Sequence, residues 1–472
     1  MIALALALIG IAVSALARRP LVAGLGAGLA GAVLRLYHLG GPSLWLDEYI
    51  TAWVVEPSSL ASALARVHQA LPGTPVYYVA AWGAVRLWGA GEAALRLPSA
   101  VAGLAAIGLA YGLGRDIAGK RPEGGLAAAL LVALARPPVV AALDARPFSL
   151  AIALALASTW ALVRLLWESK TPRAAVAYGA ASAMLVYVNW LMAVYLLVQA
   201  VTVAVVLVRR RAQSAELARI GLAFGLALTL LLPALPKLLY DLHHAARYDW
   251  TRAGHPAVWR ALLDPALLIG VACGFFARPA ERARLLFALL LAPPVLLWVA
   301  RPTFLIERYL CYAIAPAAAL CALAAASAAP RARKLALALF SLGLLAQFAP
   351  SLIALGTAKN FRTEERWREA VAALDARAHT SDLVALRSGL VEEDAAWRGD
   401  RAVADLVRAP LGNRPYGVRS LTFTFDPEVR GALAGARFVL ARDDDGYVDR
   451  LLVGASVARE ERFGIIRLVE LR

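Results

Sequence analysis

The chain has 472 residues, of which 61% are hydrophobic, with a mean hydropathy of +0.64 and a formal net charge of +16. So much apolar residue excludes an ordinary soluble enzyme, and apolar runs of roughly 17–20 residues recur along the chain, the length of a membrane helix. The positive charge does not indicate a nucleic-acid partner: it collects in short loops between apolar runs, as the positive-inside rule requires, and forms no basic stripe on a soluble module.

The first run, Met1–Ala17, has no basic residues ahead of it, and Arg18-Arg19 follow it. It reads as a retained helix and not as a cleaved signal. Further membrane helices are expected near 21–38, 95–113, 124–142, 148–167, 173–188, 190–208, 218–236, 263–277, 284–300, 309–328 and 334–353, about twelve in all. Alternate loops are basic: Arg18 and Arg19; Arg115, Lys120 and Arg121; Lys170 and Arg173; Arg209, Arg210, Arg211 and Arg219; Arg278, Arg282 and Arg284; Arg331, Arg333 and Lys334. These loops are expected in the cytoplasm. The pattern holds only if 75–89 does not span. That segment is short and rich in Tyr and Trp, which suits a helix lying in the outer interface. The loops 39–94, 143–147, 189, 237–262 and 301–308 then share the extracytoplasmic side. Residues 1–353 form a membrane domain. From about residue 354 the chain becomes charged. Trp367–Ala378, Glu392–Arg398 and Pro427–Ala434 read as helices, and Asp382–Leu386, Arg437–Ala441 and Ile465–Leu471 as strands. These predict a small soluble α/β domain over 354–472 on the same side. The expected fold is thus a polytopic all-α membrane domain with interfacial helices, followed by that domain.

The first outside loop opens with L-G-G-P-S-L-W-L-D-E-Y at Leu39–Tyr49. Gly40, Gly41 and Pro42 stop the preceding helix. Asp47 and Glu48 follow at a membrane exit, where carboxylates point to a functional site. One of them suits the deprotonation of a hydroxyl acceptor, and its neighbour suits holding the acceptor or a metal. In the turn Ala141–Phe148, Asp144 and Arg146 sit between two membrane helices; Arg146 suits a phosphate, and the alternative is a local ion pair. Arg308 and Tyr309, in I-E-R-Y, fall at interfacial depth, where they bind a lipid phosphate or anchor the helix. Arg96 is a similar case, whereas Arg35 reads as snorkelling or a structural pair. Trp45, His68, Tyr77 and Tyr78 are candidate acceptor or interface contacts. His68, His243, His244 and His255 lack zinc-site spacing, and Cys273, Cys311 and Cys321 lie in apolar runs with no disulfide framework. No glycine-rich nucleotide loop opens a helix after a strand.

These motifs, in this order, resemble the GT-C class of integral-membrane glycosyltransferases, in the bacterial branch related to protein O-mannosyltransferases and the lipid A aminoarabinose transferase. S-L-W-L-D-E at Ser43–Glu48 matches the acidic first-loop motif. T-P-V-Y-Y at Thr74–Tyr78 matches H-P-P-L-Y-Y, and E-A-A-L-R-L-P-S at Glu92–Ser99 is similar to S-E-x-x-L-R-L-P-S. L-D-A-R-P-F at Leu143–Phe148 looks like S-Q-E-A-R-x-Y. E-R-Y at Glu307–Tyr309 and W-R-E-A at Trp367–Ala370 complete the series. The chain departs from the pattern at L-P-G-T-P, which lacks the family's His, at Leu143-Asp144 in place of Gln-Glu, and at V-N-W (Val188–Trp190) in place of T-H-Y.

The resemblance implies transfer of a sugar from a polyprenyl-phosphate-linked donor to a hydroxyl on a glycan, lipid or protein. Asp47 would be the base with Glu48 as its partner, and Arg146 and Arg308, with Asp144, Tyr309 and Arg96 nearby, would hold the donor. No cofactor is required on this reading; a divalent metal at Asp47 and Glu48 is the less favoured variant. The expected location is the bacterial cytoplasmic membrane, with membrane lipids as further contacts. The competing readings are a lipid-linked sugar transporter or flippase, and a glycan ligase or polymerase. A transporter should show inverted repeats and charges near the midplane; the chain shows neither.

Overall fold

The computed structural model describes residues 20–37, 39–70, 75–168, 171–243, 254–300, 306–327, 331, 333–344 and 365–472. The expected helix Met1–Ala17, residues 301–305 and the end of the 334–353 helix lie outside them. The chain divides into two compact units. One draws on Met1–Tyr37, Pro72–Tyr77 and Pro98–Gly356, the other on His38–Leu71, Tyr78–Leu97 and Thr357–Arg472.

The first unit is helical. Among the described residues, six helices are long and apolar enough to cross a membrane: Glu92–Ile117, Phe148–Glu168, Met192–Arg210, Ser214–Asp241, Ala280–Ala300 and Glu307–Ala325. A bent pair, Pro122–Leu134 with Arg136–Ala142, makes a seventh if counted as one span. This is a multi-pass membrane protein. The expected segments near 21–38, 173–188 and 263–277 are helices too, at Pro20–Leu36, Pro172–Val188 and Pro265–Gly274, but shorter than a full span. Val76–Trp88 is a helix of 13 residues, about 20 Å long at 1.5 Å per residue, which is too short to cross. Small residues let the long helices approach closely, as in membrane bundles generally. A Cβ on Gly114 would lie 2.5 Å from the Gly124 carbonyl oxygen, so a larger residue there would push helices 92–117 and 122–134 apart.

The bend after Leu134 has a local cause. Ala135 is extended (φ −64°, ψ 143°), and the helix restarts at Arg136 through Pro137 and Pro138. A proline has no N–H for the carbonyl one turn back, so the ladder breaks with a 58° bend. Arg35, fully buried, donates to two of the carbonyls left there, Val132 at 2.7 Å and Ala133 at 3.0 Å, and to Gly31 of its own helix at 3.1 Å. Arg35 is therefore a structural residue. It stitches the bend that delivers the turn at Leu143–Pro147.

The second unit contains a five-stranded sheet of order β2-β1-β3-β5-β4. The strands are β1 (Leu383–Arg387), β2 (Gly417–Ser420), β3 (Phe438–Arg442), β4 (Val457–Phe463) and β5 (Ile466–Leu471). β2, β1 and β3 are parallel, while β5 runs antiparallel to both β3 and β4. The central strands β1, β3 and β5 are apolar runs because both faces are covered. Trp367, Leu374, Leu386 and Leu440 fill one side; Val439, Tyr447, Leu451 and Val469 fill the other. The expected strands match β1, β3 and β5 to within a residue. β2 and β4 are edge strands, short or charged, and carry little apolar signal.

Candidate active site

In the second unit, the Leu39–Trp45 turn wraps around one guanidinium. Arg96 Nε and Nη2 donate to the two carboxylate oxygens of Glu48 at 2.7 and 2.6 Å. Its Nη1 donates to the carbonyls of Leu39 and Pro42, both at 2.9 Å, and Nη2 to that of Ser43 at 3.1 Å. Five bonds use all five N–H groups of the fork. Both side chains are buried, so the pair is shielded from solvent. Glu48 also accepts from the backbone N–H of Trp45 at 3.3 Å, closing the start of helix Leu46–Val55.

The next orphan N–H at that helix start is met from far along the chain. Leu46 N donates to Glu365 at 2.8 Å. Glu365 also accepts from Trp367 Nε1 at 2.9 Å and from Arg442 at 3.1 Å. Arg368 completes the clamp: its backbone N–H donates to Ser43 Oγ at 3.0 Å, and its guanidinium reaches the Gly41 carbonyl at 2.8 Å and Glu92 at 2.9 Å. Tyr49 meets the Trp367 ring edge-on at 6.3 Å. Three short motifs, at 43–48, 92–96 and 367–370, thus build one assembly, and Asp47, half-buried, is the second residue of the helix it fixes. Burial pushes the Glu365 carboxyl up, an effect that Arg442 opposes and the Asp47 charge adds to. Burial likewise raises Glu392, and Asp47 adds to that too. Two acids from the C-terminal part of the second unit, Glu365 and Glu392, are therefore electrostatic neighbours of Asp47. Trp45 and Tyr78 are buried here, and His68 is exposed on helix Leu60–Ala70.

In the first unit, Asp144 is buried and Arg146 half-buried in the turn between helices 136–142 and 148–163. Arg146 N–H donates to the Asp144 carbonyl at 2.7 Å. The Arg146 carbonyl accepts from Ser99 Oγ at 3.0 Å, and Ser99 in turn contacts Tyr77 Oη at 3.0 Å. Since Ser99 spends its proton on Arg146, Tyr77 is the donor in that second bond. Tyr77 is thereby linked through Ser99 to the turn that carries Arg146. Arg308 and Tyr309 lie on a 3₁₀ turn, Glu307–Ala313, that packs on helix 148–163. The Arg308 guanidinium is 5.1 Å from the Phe148 ring centroid, and the Tyr309 ring is 5.7 Å from it. Phe148 is two residues after Arg146, so the turn that carries Arg146 leads into the helix end on which Arg308 packs. Among the described residues, no three His, Cys, Asp or Glu side chains are grouped to hold a metal. His244 and the His255 side chain lie outside the described residues.

Sequence reasoning missed Glu365, Glu392, Ser43 and the full use of Arg96. A cue for Glu365 was its position two residues before Trp367 of the W-R-E-A motif. It also missed a buried polar network linking helices 148–163, 172–188 and 192–210. There Ser158 donates to Gln199 at 3.2 Å, Tyr178 donates to Gln199 at 2.8 Å, and Thr159 meets Tyr195 at 2.7 Å. Ser and Thr in apolar helices give no periodic signal.

Residues 72–237 match the sequence profile of the dolichyl-phosphate-mannose-protein mannosyltransferase family. Among solved structures, ArnT from Cupriavidus metallidurans bound to undecaprenyl phosphate is 14% identical, with a TM-score of 0.59 over 94% of this chain and 97% of that one. The same protein in its apo state gives 0.55 at 14% identity, over 94% and 96%. The Archaeoglobus fulgidus oligosaccharyltransferase, in complex with Zn and sulfate, gives 0.50 at 11% identity, over 94% and 73%. A search of curated proteins finds no match. The chain has the fold of the GT-C glycosyltransferases, as its motifs indicated.

Proposed function

We propose that the chain is an inverting membrane glycosyltransferase. It moves a sugar from a polyprenyl-phosphate-linked donor to a hydroxyl acceptor on the extracytoplasmic face of the bacterial cytoplasmic membrane, in a chain of about twelve spans. The observation that carries this reading is the meeting of the Arg146 turn and Arg308 at Phe148. Two guanidiniums held at helix ends, partly exposed, suit a lipid monophosphate whose tail lies in the bilayer. The undecaprenyl phosphate bound to the structurally similar ArnT supports a ligand of this class.

In the proposed reaction the Asp47 carboxylate takes the acceptor's hydroxyl proton. The acceptor oxygen attacks the anomeric carbon as the carbon–oxygen bond to phosphate breaks, and the polyprenyl phosphate leaves with that electron pair. One displacement inverts the anomeric centre. The leaving phosphate needs no acid, only cations for its growing charge, which Arg146 and Arg308 supply. Glu48, Arg96, Glu365 and Arg368 are positioning residues: they fix the helix start that carries Asp47. No metal is assigned a step.

The test is turnover by the purified chain with a polyprenyl-phosphate sugar, read as release of free polyprenyl phosphate. Asp47→Asn should slow it on the order of 10²–10⁴-fold, the range for losing a positioned base, while donor binding persists. An Asn variant turning over at the wild-type rate would remove Asp47 from the chemistry. Mass spectrometry of lipid-linked sugars and surface glycans that change on deletion identifies the sugar.

A further inference from the structure

A cleft of about 920 Å³ opens within the second unit. It is walled by the ends of helices Leu46–Val55 and Val76–Trp88, by Arg66, and by the segment Asp405–Arg414 of the soluble domain. Asp47 does not line it. Its charged lining is four guanidiniums, from Arg66, Arg86, Arg408 and Arg414, against two carboxylates, from Glu56 and Asp405.

The internal pairings leave the cleft positive. Glu56 is taken by Arg66 at 2.8 Å and by Asn413 at 3.3 Å. Arg414 pairs with Asp375 at 3.0 Å. Arg86 bonds only to backbone, donating to the carbonyls of Val55, Glu56 and Pro57 at 3.1, 2.8 and 3.2 Å, so its charge meets no carboxylate among the described residues. The half-buried Arg408 side chain has no hydrogen-bond or ion-pair partner among them. Like charges gathered in a concave, partly dry site repel one another and focus a positive field, which an arriving anion relieves. The planar forks select an oxyanion with paired oxygens. The volume exceeds that of one phosphate and suits a sugar-sized headgroup. Next to the cleft, Leu87 and Trp88 are 74% and 65% exposed on the last turn of helix Val76–Trp88, the side chains expected at a lipid surface.

We propose that this cleft binds an oxyanion group, phosphate or carboxylate, on a membrane-anchored acceptor. Its assignment to the acceptor rests on the transferase reading above. Arg408 contributes binding there and is not placed in the chemistry at Asp47.

The experiment uses the full chain in phosphatidylcholine nanodiscs. The thermal midpoint is followed against inorganic phosphate or glucuronate, with sodium chloride at matched ionic strength as the reference. Either anion should raise the wild-type midpoint beyond chloride. Arg408→Glu should weaken that response about tenfold or more, the worth of one charge-assisted contact, Arg408→Lys should recover part, and Asp47→Asn should leave it unchanged. Equal responses of wild type and Arg408→Glu would overturn the proposal. So would loss of the response on adding phosphatidylglycerol to the disc, which would identify the occupant as bulk lipid. Undecaprenyl phosphate binding is measured on the same samples. If it binds and the Arg408-dependent response is missing, this inference alone falls; if the response is present and undecaprenyl phosphate does not bind, the donor assignment falls instead.

Discussion

Arg96→Met is the sharpest perturbation of the first-loop assembly. The side chains of Arg96 and Glu48 are 2% and 1% exposed, so solvent cannot take over for the lost partner. The substitution leaves the Glu48 carboxylate without its cation and removes the donors to Leu39, Pro42 and Ser43. Breaking a buried pair from one side costs about 3–5 kcal/mol. Two of the three carbonyls, those of Leu39 and Ser43, are buried as well, so their lost donors push the cost toward the top of that range. Glu48→Gln keeps the shape but strands the Arg96 charge, and should cost a similar amount. The double variant Arg96→Met/Glu48→Met removes both charges and should lose less than the sum of the single changes Arg96→Met and Glu48→Met, by about 2 kcal/mol or more. The assay is urea unfolding of the purified chain, followed by the fluorescence of Trp45, Trp53 and Trp367, with turnover measured in parallel. An Arg96→Met variant with both the wild-type urea midpoint and the wild-type rate would refute the argument that this latch sets the loop.

Other outcomes follow from the same structure. Burial raises the Glu393 carboxyl from 4.5 to about 8. The folded chain therefore keeps a proton that the unfolded chain releases, and this stabilisation is full below pH 4.5 and lost as pH rises through 8. The change is about 5 kcal/mol across the window; Glu393→Gln should flatten it, and an unchanged pH profile of urea midpoints would count against the burial argument. Residues 361–472 should lie outside the cytoplasm, from the charge of the loops. An alkaline phosphatase fused at the C-terminus should be active, and a fusion working only in the cytoplasm would overturn the topology along with the interfacial placing of 75–89.

Most of the helical architecture was legible because membrane helices announce themselves by length and apolarity. The expected segments at 95–113, 148–167 and 190–208 differ from the observed helices only at their ends, by 2–4 residues at most boundaries. The break at Ala135 was not legible as a bend, because Pro137-Pro138 sits inside an apolar run and the rescue by Arg35 comes from about a hundred residues away. In the soluble domain the three buried strands were read from their apolar runs, while β2 and β4 had no such run to read. The candidate residues were legible as types at a membrane edge. Their partners were not: Glu48 with Arg96 and Leu46 with Glu365 are pairings across 48 and 319 positions, and no local pattern encodes them. The carboxylates at 47 and 48 look equivalent in sequence. In the structure Glu48 closes a latch, and Asp47 is the residue whose position the latch sets.

The central claim is that Arg146 and Arg308 hold a polyprenyl phosphate. The direct measurement is binding of sugar-free undecaprenyl phosphate to purified, folded wild type, Arg146→Ala, Arg308→Ala and the two Lys variants. Arg308 lies over the Phe148 ring, and the turn carrying Arg146 leads into the same helix end, so on the proposed reading each should contribute a charge-assisted contact worth about tenfold or more in affinity. Both Ala variants should bind weakly, and Lys should recover only part because it lacks the paired fork. Wild-type affinity in both Ala variants would contradict the assignment and leave the donor phosphate without these two residues.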